Sequence, residues 1–123
     1  MARILVVDDE ENIRLLYRLE LEDAGHEVET FSSGRGLNER LHRNPADLLI
    51  LDIKMADLSG LVVLEDVRRE FADLPVILSS AHGARPAGWE EDDNLRYVVK
   101  SSNPSPLMEA VGELLQLHAK RKR

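Results

Sequence analysis

The chain has 123 residues, no cysteine and a formal net charge of -7. That length suits one ordinary domain with a single core, and the missing cysteine excludes a disulfide framework and thiol chemistry, as suits a reducing cytoplasm. The acidic balance argues against nucleic acid as a partner, and no apolar run spans a membrane or follows a basic leader, so a cytoplasmic protein is expected.

The first element is the apolar run Ile4-Leu5-Val6-Val7, which ends on Asp8 and Asp9. Such unbroken runs are how strands covered by helices on both faces read. From Glu10 to Ala24, Ile13, Leu16, Tyr17, Leu21 and Ala24 recur at helical spacing, Glu10 and Glu11 suit the positive end of the helix dipole, and Gly25 stops the helix. Leu15 and Leu19 fall on its opposite face. Scattered surface leucines are the preferred reading there, and a docking patch for a partner is the other. The segment His26-Glu27-Val28-Glu29-Thr30-Phe31 alternates, which predicts a half-exposed strand near the sheet edge. A weaker helix over Ser32 to Asn44 carries Leu37 and Leu41 and is limited by Pro45.

A second buried run, Leu48-Leu49-Ile50-Leu51, ends on Asp52. A loop follows, then a helix from Gly60 to Phe71 with Leu64, Val67 and Phe71 inward. The run Pro75-Val76-Ile77-Leu78 leads into Ser79 and Ser80, and Tyr97-Val98-Val99 ends on Lys100. Ser105 suits a helix cap and Pro106 the first helical position, before a final helix with Leu107, Ala110, Val111, Leu114 and Leu115 to about His118. The expected organisation is one domain over residues 1–119, with 120–123 a basic tail or the start of a linker.

Every strand except the second thus delivers a polar group to one rim: Asp8 and Asp9, Asp52, Ser80 and Lys100. Singly, each has a dull explanation as a cap, a strand end or a solvated lysine. Their shared place in a repeating strand–helix pattern is harder to dismiss, because right-handed crossovers put the strand ends on one side, where open α/β sheets bind ligands. Clustered carboxylates repel one another unless a cation neutralises them, and oxygen ligands of this kind favour a hard ion such as Mg²⁺ together with phosphate oxygens. One carboxylate is then a nucleophile for phosphorus, with Lys100 and Ser80 placed to offset phosphoryl charge.

The motifs Ile4-Leu5-Val6-Val7-Asp8-Asp9-Glu10, Leu51-Asp52-Ile53-Lys54-Met55, Gly60-Leu61, Pro75-Val76-Ile77-Leu78-Ser79-Ser80-Ala81 and Tyr97-Val98-Val99-Lys100 resemble, in order, those of the CheY-like receiver domain of bacterial two-component response regulators. The resemblance implies a flavodoxin-like doubly wound α/β fold, a five-stranded parallel sheet in the order 2-1-3-4-5 with five surrounding helices. It implies that Asp52 accepts a phosphoryl group from a sensor histidine kinase or phosphotransfer protein, and that the result is passed to a downstream effector or output domain. It further implies that Asp9, Asp52 and the backbone carbonyl of Lys54 bind Mg²⁺ directly, that Asp8 acts mainly through water, and that Ser80 and Lys100 bind the phosphoryl group. Ser80 and Tyr97 match the family's switch pair. Tyr97 packed on the sheet in every state, and Ser79 satisfying a strand-end backbone group, are the plainer alternatives. Lys54 and His82 match positions that tune phosphoryl lifetime, and the lean is toward slow hydrolysis; the plainer reading has both facing solvent.

Several positions depart from the pattern. Ala56 replaces a proline, which is expected to loosen its loop without touching a ligand. Ser101 replaces the proline after Lys100, so the peptide is either trans with a shifted lysine or a strained cis bond. Residues 82–94 fall where the family has its fourth helix, but hold two glycines, a proline and four successive acids. Any helix there is expected to be short or irregular, started by Pro86, in a mobile or rebuilt crossover, with Trp89 either an exposed anchor for a partner or, as preferred, a plug for the gap. Three functions compete: a phosphorylation switch that is not an enzyme beyond weak self-dephosphorylation; a phosphorylation-independent receiver-like interaction domain; and a small phosphatase, disfavoured because no second general acid and no cap segment are visible.

Overall fold

The computed structural model describes residues 1–81 and 86–121. Its elements run β1 (Arg3–Val7), α1 (Glu11–Asp23), β2 (Glu27–Phe31), α2 (Leu37–Arg43), β3 (Leu48–Asp52), α3 (Gly60–Glu70), β4 (Val76–Ser80), β5 (Leu95–Val99) and α4 (Ser105–Arg121). All five strands are parallel, in the order β2-β1-β3-β4-β5. Four helices, not the five implied by the resemblance, surround the sheet among the described residues.

Strand alternation divides the core in two. Ile4, Val6, Leu48, Ile50, Ile77 and Val98 face Tyr17 and Leu21 of α1 and Leu107, Val111 and Leu114 of α4. The intervening Leu5, Val7, Leu49, Leu51, Val76, Leu78 and Leu95 face Leu37 and Leu41 of α2 and Val63, Leu64 and Val67 of α3. Burial of each such side chain is worth about 1.5–3 kcal/mol, which makes the central strands the firmest platform in the molecule. β2 lies at one edge and keeps the half-exposed character that its alternation predicts.

Boundaries shift where local chemistry competes with periodicity. The predicted helix from Ser32 starts only at Leu37, because Gly36 before it has φ +74°, a left-handed conformation that glycine adopts without strain. Ser105 is the first residue of α4, not its cap: the Ser105 N–H donates to Asn103 Oδ1 at 3.1 Å, and Met108 N–H to the Pro104 carbonyl at 3.0 Å. The final helix also runs past His118, to Arg121.

No helix forms over residues 86–94. Instead Asp92 and Leu95 exchange backbone hydrogen bonds in an antiparallel bridge, so the chain folds back along β5. Trp89 packs against the α2/α3 side of the core with the Arg68 guanidinium 5.9 Å from its ring centre, which is the plug expected of it. The rebuilt crossover is therefore real over residues 86–94, whereas His82, Gly83, Ala84 and Arg85 lie outside the described residues.

Candidate functional site: an acid cluster at the strand ends

Continuing the strand alternation past the carboxyl ends puts Asp8, Asp52, Ser79 and Lys100 on the α1/α4 side of one rim. Asp8 and Asp52 are 1% and 2% exposed, a severe environment for two like charges. The Lys100 ammonium joins them: Nζ lies 2.9 Å from Asp8 Oδ2, 3.1 Å from Asp52 Oδ2 and 3.0 Å from Glu10 Oε1. The Lys100–Ser101 peptide is trans, and the lysine reaches both aspartates nonetheless. Ser101 Oγ accepts from Asn103 N–H at 2.9 Å, a local turn that sets the chain direction without proline.

Burial, then the neighbouring Asp8 charge, push the Asp52 carboxyl up to about 6, and the Lys100 ammonium only partly offsets them. For Lys100, burial works against the charge, but Asp8, Glu10 and Asp52 outweigh it and hold the ammonium above its ordinary range. Lys100 is therefore a fixed positive charge, and Asp52 is the group whose ionisation is delicately set.

Neighbouring backbone orients the acids. Asp8 Oδ1 accepts from Glu10 N–H at 2.9 Å, and Arg14 donates to the Asp8 carbonyl at 2.8 Å, which seats the start of α1 on the rim. Asp52 Oδ1 accepts from Lys54 N–H at 3.2 Å. Asp9 is exposed, and its Oδ2 accepts from Ala56 N–H at 3.0 Å. This overturns the expected role of Ala56: a proline has no N–H to give, so alanine ties its loop to Asp9. Gly60 fixes the other end of that loop, because a Cβ there would sit 1.9 Å from the Asp52 carbonyl oxygen. Ser59 caps α3 at that point by accepting from Leu61 N–H.

Carboxylate oxygens of Asp8, Asp9 and Glu10 lie within 4.8 Å of one another. Asp8 Oδ2 and Asp52 Oδ2 are buried without a well-formed hydrogen bond, and carry only the charge of Lys100 beside them. A buried carboxylate oxygen in that state is a donor in want of a hard cation, so the residues present fit Mg²⁺. Glu10, read from sequence only as a helix-dipole residue, joins this set.

The remaining predicted residues are less tightly gathered. Ser80 closes β4, half-buried, on the face opposite Asp52, and its carbonyl accepts from Lys100 N–H at 2.7 Å. Tyr97 shares that face; its hydroxyl donates to the Trp89 carbonyl and its N–H to Glu91 Oε2 at 3.0 Å. Lys54 is exposed, and His82 is outside the described residues. Ser79 Oγ pairs with the Tyr17 hydroxyl at 3.1 Å, both buried, which differs from the plainer alternative of a strand-end backbone group. A tyrosine on the inward face of a helix is the signal that a buried polar partner must exist, but periodicity does not say where. Leu15 and Leu19 are exposed on α1, at 56% and 57%.

Comparison with known proteins agrees with this geometry. The pattern of the response regulator receiver domain matches residues 4–112. Among curated relatives, a probable transcriptional regulator ycf27 of Galdieria sulphuraria is 36% identical over 110 residues, 85% of this chain and 42% of that protein. The transcriptional regulatory protein CssR of Bacillus subtilis is 33% identical over 117 residues, 93% of this chain and 51% of its own. The chain thus spans about half or less of the length of these relatives. Among solved structures, the response regulator TrrA of Thermotoga maritima in complex with Mg²⁺-BeF is 40% identical with a TM-score of 0.82, covering 93% of this chain and 99% of that one. TrrA in complex with the histidine kinase ThkA gives 42% and 0.82, covering 94% and 99%. With the sheet order, the acid rim and the matched pattern in agreement, the chain belongs to the response regulator receiver domain family.

Proposed function

We propose that this receiver domain is a phosphorylation-activated switch whose acceptor is Asp52, charged by a sensor histidine kinase or phosphotransfer protein. The observation that carries the reading is the bridge from Lys100 Nζ to two buried carboxylates, with Asp52 raised to about 6. Such a cluster is poorly satisfied at rest and gains from a phosphoryl group and a cation. The solved complexes of TrrA with Mg²⁺-BeF and with ThkA support the same chemistry and the same class of partner.

In the transfer, a carboxylate oxygen of Asp52 forms a bond to phosphorus while the bond from phosphorus to the donor's imidazole nitrogen breaks, its electron pair staying on that nitrogen. No proton need leave Asp52, which attacks as the anion. Asp8, Asp9, Asp52 and the Lys54 carbonyl would hold Mg²⁺, which when bound neutralises the crowded carboxylate and phosphoryl oxygens. Lys100 is freed from Asp52 as that carboxylate becomes an acyl phosphate, and stays beside the rim to pair with phosphoryl oxygens. Ser80 supplies a hydroxyl to the same group, and Tyr97 follows it as the switch partner. The domain is read as 1–119, with 120–123 a basic tail or the start of a linker that continues the end of α4, which runs to Arg121, and it acts in the cytoplasm without binding nucleic acid or membrane.

A phosphorylation-independent interaction domain is the second reading, favoured by the rebuilt segment between β4 and β5. Intact mass with Mg²⁺ and acetyl phosphate decides between them. The switch requires a gain of one phosphoryl group that needs the metal and vanishes in Asp52→Asn. A folded, Mg²⁺-binding chain that gains nothing leaves the second reading.

A further inference from the structure

Ser33, Arg35 and Asp57 have no part in phosphoryl transfer, yet they are joined at the edge of the acid rim. β2 ends at Phe31, whose carbonyl accepts from Asp8 N–H at 3.0 Å, so the loop after it lies on the same rim as the acids. From that loop, Ser33 Oγ donates to Asp57 Oδ2 at 2.7 Å, and Arg35 Nε donates to the same oxygen at 3.2 Å. Ser33 Oγ also accepts from Arg35 N–H at 3.2 Å, so its one proton is committed to Asp57. The loop has little room to shift: a Cβ on Gly34 would lie 2.5 Å from Cγ2 of the buried Val63 in α3. The clasp is therefore anchored on the body of the domain.

Asp57 follows Ala56, whose N–H donates to Asp9 Oδ2 at 3.0 Å. The loop between β3 and α3 is thus held at three places. Lys54 N–H bonds Asp52 Oδ1 at 3.2 Å near its start, Gly60 N–H bonds the Ile53 carbonyl at 2.8 Å at its close, and the clasp holds its middle. Among the described residues, Asp57 is not one of the acids gathered with Asp8, so its carboxylate serves the neighbouring loop and not the cluster. Asp9 Oδ2 must give up the Ala56 N–H before that oxygen can bond a cation in full. We propose that Ser33 and Arg35, acting through Asp57, are positioning residues that keep the Ala56 N–H on Asp9, which makes the clasp a brake on Mg²⁺ binding. The inference rests on Asp9 being a Mg²⁺ ligand, as in the proposed function, and on no step at phosphorus. Lys54 is held from the Asp52 side, so opening the clasp frees Asp9 without displacing the Lys54 carbonyl.

The test titrates Mg²⁺ by calorimetry into the unphosphorylated chain and into Ser33→Ala and Ser33→Thr, with and without Ala56→Pro. Ser33→Ala deletes the hydroxyl without changing charge, and should bind Mg²⁺ about two- to fivefold more tightly, a fraction of one hydrogen bond to a charged group. Ser33→Thr, which keeps the hydroxyl, should match the unaltered chain. Where Ala56→Pro has already removed the N–H, Ser33→Ala should add nothing further. In the metal-free protein, exchange of the Ala56 amide should quicken several-fold in Ser33→Ala, while that of Leu49, held by the Pro75 carbonyl at 3.0 Å, keeps its protection. A clasp that only stabilised the fold would move both amides. Unchanged or weaker Mg²⁺ affinity in Ser33→Ala overturns the inference. So does the same gain in the Ala56→Pro background, an Ala56 amide that does not respond, or a Ser33→Thr as tight as Ser33→Ala. If the unaltered chain binds no Mg²⁺, this inference and the cation site of the proposed function fall together. If it binds Mg²⁺ but takes no phosphoryl group, only the proposed switch falls, because the titration needs no phosphorylation.

Discussion

Replacing Asp52 by asparagine should make the resting protein more stable, because it deletes a charge from a site that disfavours it. The residue is 2% exposed and its carboxyl is raised from 3.8 to about 6. At 1.36 kcal/mol per pKa unit, ionising it in the folded chain costs roughly 3 kcal/mol more than in the unfolded one. That value is already net of the attraction to Lys100. The folded pKa lies above the unfolded one, so the stabilising term is present below about pH 4 and is lost as pH rises through about 6. Asparagine is neutral throughout. At pH 7 Asp52→Asn should therefore gain about 1–3 kcal/mol, the lower figure allowing for an imperfectly bonded carboxamide, or about 4–10 °C in Tm. Urea unfolding of both proteins across pH 4 to 7 is the assay. Taking the difference cancels the carboxylates whose pKa is lowered, such as Glu29, held down chiefly by its hydrogen bond from Arg40. The gap should shrink toward zero at pH 4, and saturating Mg²⁺ should stabilise the unaltered chain more than the variant. A variant no more stable at pH 7, or a gap indifferent to pH, would refute the reasoning.

Lys100→Met leaves Asp8 and Asp52 buried without their cation, so it should cost about 3–5 kcal/mol at pH 7, with much of the loss recovered at pH 5 as Asp52 protonates; urea midpoints at the two pH values check this. Gly60→Ala would drive a methyl into the Asp52 carbonyl and force the loop after β3 to move, which should lower stability by about 3 kcal/mol or more in a thermal melt and slow labelling by acetyl phosphate. Ala56→Pro removes the N–H that holds Asp9 Oδ2, so Mg²⁺ should bind several-fold more tightly by calorimetry, at about 1 kcal/mol of stability in the metal-free protein.

How much of the site was legible depends on what each residue's signal is made of. Asp8, Asp9, Asp52 and Lys100 were visible because a strand buried on both faces leaves an unbroken apolar run, and the first polar residue after it marks the rim. The rebuilt crossover was visible for the opposite reason: glycine, proline and consecutive acids cannot sustain a buried helix face. The role of Ala56 was misread because side-chain type says nothing about where a backbone N–H points. The Tyr17–Ser79 pair was missed because the partners are 62 residues apart and each has an ordinary local explanation.

The sequence by itself determined the strand runs, the helix faces, the domain class and the acids at the strand ends, all of which follow from periodicities of two and 3.6 residues along the chain. Tertiary structure decided which rim residues touch. Parallel register sets Ser79 beside Asp52, and a trans peptide still brings Lys100 between two aspartates more than 40 residues apart. It also decided that Trp89 fills the space beside Arg68. These contacts depend on the packing of strands and helices distant in sequence, where burial and charge act between groups that no local pattern connects.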